Sequence, residues 1–273
     1  PLGSWVNKAM DWLLDNFSMI FDSIKIVVAM ALNNVEKFLL WLPWWTVILL
    51  IVVGAWWVAG QRVAIFSAVS MYVILLLGLW DLSMATLALM AIAVFIANLF
   101  GIPLGILAAS SDRFEAAIRP ILDGMQTMPA FVYLIPALMF FGIGRVPGVM
   151  ACVIYALPPA VRLTNLGIRQ VPADLVEAAH AFGTTRSQLL FKVQLPLAMP
   201  SIMAGVNQTI MMALGMVTLA AMIAAGGLGR EVLLSLGQID IGRGVAAGGA
   251  IIILAMVLDR ITQAIGAKGV RKE

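Results

Sequence analysis

The sequence predicts an all-α integral membrane protein: about seven transmembrane helices, preceded by amphipathic helices in the membrane interface. Of its 273 residues 62% are hydrophobic. Only 11% are charged, where a soluble domain has about 25%. Apolar runs long enough to cross a bilayer recur from residue 45 to residue 264. The net charge of +3 fits basic residues gathered in cytoplasmic loops and calls for no nucleic acid.

Residues 1–4, Pro-Leu-Gly-Ser, read as the remnant of a cleaved tag, with no signal peptide expected after them. Residues 5–44 form an amphipathic segment on the outer side. Val6, Met10, Leu13 and Phe17 recur at helical spacing opposite Asn7, Asp11 and Asp15, and a second amphipathic piece runs from Ile20 to Leu40. Its apolar stretch between Lys25 and Glu36 has ten residues. A bilayer core of about 30 Å needs about twenty, so this piece is expected to lie in the interface.

Seven spans follow, at 45–59, 63–80, 84–109, 118–143, 147–165, 200–225 and 244–264. The first two are accessory (45–83), 84–265 is the core, and 266–273 is a tail. Trp41, Trp44 and Trp45 mark one interface, Trp56 and Trp57 the other, and Trp80 returns to the first. With the N-terminus outside, the outer face keeps Lys8, Lys25, Lys37, Arg145, Arg230 and Arg243, leaving eleven of the seventeen lysines and arginines inside. The positive-inside rule therefore predicts an outer N-terminus and a cytoplasmic C-terminus.

Catalytic and metal chemistry find little footing. Cys152 and His180 are the single cysteine and histidine, so thiolate and histidine-cluster metal sites are not expected. The phosphate-cradling G-x-x-x-x-G-K-[ST] loop is absent, so ATP would have to be bound by another chain.

The polar stretch EAAHAFGTTRSQLLFKVQLP, Glu177 to Pro196, falls in the largest cytoplasmic loop, 171–196. Pro172 and Asp174 suit a helix start, and Leu175, Ala179 and Phe182 share one face beside the small Ala178. Gly183 suits a left-handed stop. Thr184 or Thr185 suits the cap of a second helix carrying Leu189, Leu190 and Val193, expected to end before Pro196. Such a corner fits a groove on another protein, or rests on lipid headgroups.

The spacing Glu177-Ala178-Ala179, three residues, Gly183, nine residues, Val193, one residue, Leu195-Pro196 resembles the EAA loop of binding-protein-dependent ATP-binding cassette importers. Valine for isoleucine is its departure from the pattern. The runs Asp123 to Gly144, Lys192 to Val217 and Ala224 to Leu233 resemble the permeases of glycine betaine/proline uptake systems, with choline or other quaternary-amine importers as the nearest alternative.

The resemblance implies a type I importer permease fold in a bacterial inner membrane. It implies a second copy of the chain, two ATPase subunits that hold ATP and Mg, an extracytoplasmic substrate-binding protein, and no cofactor on this chain. Glu177, Ala178, Ala179, Gly183, Leu195 and Pro196 would couple to the ATPase. An autonomous channel or secondary carrier would need no such loop, and an intramembrane enzyme would need a catalytic pair the spans do not offer.

Within the spans, Gln126, Thr127, Tyr133, Asn207, Gln208 and Thr209 are candidates for the translocation path, each equally suited to an interhelical hydrogen bond. Pro129, Pro136 and Pro147 free carbonyls that need protein or water partners. Phe131, Phe140, Phe141 and Tyr155 join Tyr133 as candidates for weak contact with a quaternary ammonium. Asp123 and Arg162 are expected to face each other, because an unpaired charge near a span is costly. Gly226, Gly227 and Gly229 mark an outer turn.

Overall fold

A computed structural model describes residues 2–270, with every side chain from Met10 to Gly266. The side chains of residues 1–4, of Val6, Asn7 and Ala9, and of Lys268, Arg271 and Lys272 lie outside the described residues. Lipid offers no partners to a bare backbone, and the described chain answers with helices that satisfy their own amides.

The helices are α1 (Leu2–Trp41), α2 (Trp44–Ala59), α3 (Gln61–Leu76), α4 (Trp80–Ser110), α5 (Asp112–Thr127), α6 (Leu134–Phe141), α7 (Arg145–Arg169), α8 (Ala173–Ala181), α9 (Arg186–Leu189), α10 (Leu195–Ala220), α11 (Gly227–Gln238) and α12 (Ile241–Val270). Four helices among the described residues are long and apolar enough to cross a membrane: Trp80–Ser110, Arg145–Arg169, Arg186–Ile223 and Ile241–Gly266. The first, fourth and second predicted spans take other forms. α1 and α2 meet at 102°, α5 and the Ala130–Phe141 segment meet at 111°, and α3 is a shorter apolar helix of 16 residues.

Two boundaries differ from expectation for clear reasons. The N-terminal segment is one helix of 40 residues, about 60 Å long at 1.5 Å per residue. Its second half packs on the core, with Val28 and Leu32 buried and Phe21 stacked on Phe140 at 4.5 Å. The 118–143 span is broken: Met128, at φ −72° and ψ 137°, leaves the helix before Pro129, which has no N–H and biases its predecessor toward extended backbone.

α7 is the central helix, packed between α4 and α10. Glycines permit that approach: a Cβ on Gly101 would lie 2.6 Å from Ala160 Cβ, and one on Gly105 would lie 2.6 Å from Thr164 Cβ and 2.7 Å from the Val161 carbonyl. A second core, around Met71, Ile74, Met84, Leu228 and Leu254, attaches α2, α3 and α11 to α12.

Candidate functional site

The Glu177–Pro196 loop is built as a cap, a corner and a second cap. Pro172 sits at the cap of α8, with Asp174 in the first turn near the positive end of the helix dipole. α8 ends in a Schellman arrangement: Thr184 N donates to the Ala179 carbonyl (3.3 Å) and Gly183 N to the His180 carbonyl (2.9 Å). Gly183 stands at φ +76°, the left-handed region where any Cβ is disfavoured. The Thr184 hydroxyl donates to the same Ala179 carbonyl at 2.8 Å. Thr185 then caps α9 in a reciprocal box, accepting from Gln188 N (3.3 Å) while its own N–H donates to Gln188 Oε1 (2.9 Å).

This construction turns Ala179 and Leu189 inward and leaves Glu177, Ala178 and Gly183 exposed. Phe182, expected on the face of Ala179, is 89% exposed. The corner thus presents an aromatic ring between two small residues. The second helix does not end before Pro196. α9, a π-turn over Leu190–Gln194 and α10 run on as Arg186–Ile223, so Leu195 and Pro196 lie inside a continuous rod. The proline removes the N–H that would bond the Lys192 carbonyl, and the wider turn falls where that bond is missing.

Above the loop, charged side chains join α5 to α7. Arg162 donates to Asp123, Arg119 to Glu115 one turn back on its own helix, and Arg169 to Asp112 at 2.7 Å, to the Ala108 carbonyl and to Asn165. All of these but Asp112 line a cavity of about 400 Å³.

The other path candidates divide between surface and packing. Gln126 and Thr127 are exposed at the α5 bend, and the Thr127 hydroxyl donates to the Gly124 carbonyl at 3.1 Å. Tyr133 is buried against Tyr155 and donates across the bend to the Met125 carbonyl. Thr209 is buried and bonded back to the Gly205 carbonyl at 2.9 Å, so its hydroxyl serves its own helix. Asn207 and Gln208 line a separate cavity of about 430 Å³ between α10 and α12.

Asp259 was missed by sequence reasoning. Asn207 Nδ2 donates to it at 3.0 Å and Gln263 Nε2 at 2.8 Å, while the Thr262 hydroxyl donates to Asn207 Oδ1 at 2.6 Å. A carboxylate inside the last apolar run was the available signal. Glu36 was missed too; Arg145 donates to it, tying α1 to the start of α7.

The sequence and fold have relatives. The family described as the binding-protein-dependent transport system inner membrane component matches residues 101–270. The chain is 50% identical over 266 residues to the glycine betaine/proline betaine transport system permease protein ProW of Escherichia coli, covering 97% of this chain and 75% of that one. It is 48% identical over 268 residues to the glycine betaine transport system permease protein OpuAB of Bacillus subtilis, covering 98% and 95%. The fold resembles a chain of the MetNI methionine ABC transporter in an inward-facing conformation, with a TM-score of 0.64 at 21% identity, over 68% of this chain and 93% of that one.

Proposed function

The chain belongs to the binding-protein-dependent transport system inner membrane components, and from that premise we propose that it is the membrane-spanning subunit of a glycine betaine/proline betaine importer. It is a multi-pass inner-membrane transport subunit. Two copies form the path, two separate ATPase subunits bind ATP and Mg, and an extracytoplasmic binding protein delivers substrate. The N-terminus lies outside and the C-terminus in the cytosol, in keeping with the basic residues of the inner loops.

The observation that carries the coupling in this reading is the continuity of the Arg186–Ile223 rod with the Gly183 corner; the substrate rests on the glycine betaine permeases that the chain resembles. Glu177, Ala178, Phe182 and Gly183 are exposed for docking. The corner leads directly into a helix that packs along α7 and α12. Displacement of the corner by a closing ATPase dimer is thereby transmitted to the membrane helices as a rigid-body motion. Glu177 supplies a charge beside the small docking surface, and Leu195 and Pro196 stand where the widened turn passes into α10.

The test is uptake of labelled glycine betaine by proteoliposomes holding the permease, its ATPase and its binding protein. ATP-dependent, vanadate-sensitive uptake supports the assignment. Uptake without ATP or ATPase points instead to a channel or secondary carrier. Preferential uptake of choline moves the substrate to another quaternary amine.

A further inference from the structure

α5 is too polar for contact with lipid. It carries Asp112, Arg113, Glu115, Arg119 and Asp123, and Leu122 is its buried residue among those described. Charges in a membrane chain face water, protein or one another and turn from lipid, and here they gather along an open groove between α5 and α7. Its volume, about 400 Å³, accommodates a small organic solute.

The lining alternates in sign. Glu115, Arg119 and Asp123 follow one another at four-residue spacing and share a stripe of α5. Facing them on α7, Arg162 and Arg169 stand two turns apart, about 10.5 Å along the axis. Part of this charge has binding capacity to spare. A guanidinium has five N–H donors, of which Arg119 and Arg162 each use one, toward Glu115 and Asp123. Asp123 engages Oδ1, leaving Oδ2. Their side chains are 67%, 38% and 55% exposed.

We propose that this groove is a substrate site of the permease itself that selects zwitterions. The carboxylate of the solute is held by the Arg119 and Arg162 guanidinium groups, and its quaternary ammonium lies toward Asp123. A lone anion entering the groove meets Glu115 and Asp123 beside the arginines, and a lone cation meets the arginines beside the carboxylates. A solute whose opposite charges are one methylene apart meets both signs in register. The inference rests on the import reading above and adds discrimination at the inner end of the path.

The test uses the intact permease–ATPase complex in lipid nanodiscs, without the binding protein. Ligand-observed NMR and calorimetry are recorded with glycine betaine, tetramethylammonium and acetate. Glycine betaine is expected to bind, with either half-molecule roughly tenfold weaker. Arg119→Gln, which alters a contact within one helix, and Asp123→Asn should each weaken glycine betaine roughly fivefold or more.

No binding to the wild-type complex, equal binding of tetramethylammonium, or indifference to both substitutions overturns the site. Wild-type uptake in proteoliposomes separates the two readings. Uptake with no binding here overturns the groove alone, whereas binding without ATP-driven uptake overturns the import reading.

Discussion

Replacement of Gly183 is the sharpest perturbation of the coupling corner, because its cost has one source. The residue stands at φ +76°, and a Cβ built there meets nothing within 4 Å. Steric exclusion by neighbours therefore contributes nothing, and the penalty is that of left-handed backbone, about 1–2 kcal/mol. That energy lowers the population of the observed corner by a factor of roughly 5–30. Asparagine tolerates the left-handed region, alanine less, and a β-branched residue least.

Uptake of glycine betaine by the reconstituted complex, normalised to permease–ATPase co-purification, is expected to fall in the order Gly183, Gly183→Asn, Gly183→Ala, Gly183→Val. The last should lose roughly 5–30-fold. Wild-type transport by Gly183→Val, or an asparagine variant as impaired as valine, refutes the claim that transport needs this backbone conformation.

The remaining predictions concern the scaffold. Asp259→Ala leaves the part-buried Asn207 amide without its acceptor and should cost about 0.5–1.5 kcal/mol, read as a lowered melting temperature of the purified complex; an unchanged melting temperature removes the network from the account. Gly105→Ala should destabilise by about 1–3 kcal/mol through overpacking, since its Cβ would lie 2.6 Å from Thr164 Cβ. Gly54→Ala, with nothing within 4 Å of the new Cβ, should be neutral or stabilising by up to about 1 kcal/mol in the same assay. Arg145→Met frees Glu36 and should make α1 more susceptible to limited proteolysis, whereas unchanged cleavage shows that Phe21, Val28 and Leu32 hold α1 by themselves.

The long spans were legible because lipid leaves a simple signature: Trp80–Ser110 and Ile241–Gly266 are long and predominantly apolar. The α8 corner was legible because Gly183 and Thr185 have few other reasons to stand where they do. The contact between Asp123 and Arg162 follows from the cost of an unpaired charge. What escaped depends on partners distant in sequence. Leu195-Pro196 is a local exception: it reads as a helix end, but the π-turn over Leu190–Gln194 takes up the N–H missing at Pro196 and carries the helix past it. α1 reads as interfacial because its apolar stretch between Lys25 and Glu36 is too short to span, but α1 packs on α4 and α6, with Val28 and Leu32 in the core. Asn207 offered a polar side chain without direction, and Asp259, 52 residues away, supplies it.

The central claim is that the Gly183 corner docks on a separate ATPase and transmits its motion, and cysteine cross-linking tests it most directly. Cys152 is buried, so a cysteine introduced as Phe182→Cys, at a position 89% exposed, reports on the corner with little background. In the assembled complex it should cross-link to the ATPase subunit, with a yield that changes when ATP closes the ATPase dimer. A control cysteine at Met19, 82% exposed on α1, should give no such product. Equal labelling of both positions, or no ATPase adduct at Phe182→Cys in a complex that transports, would contradict the account.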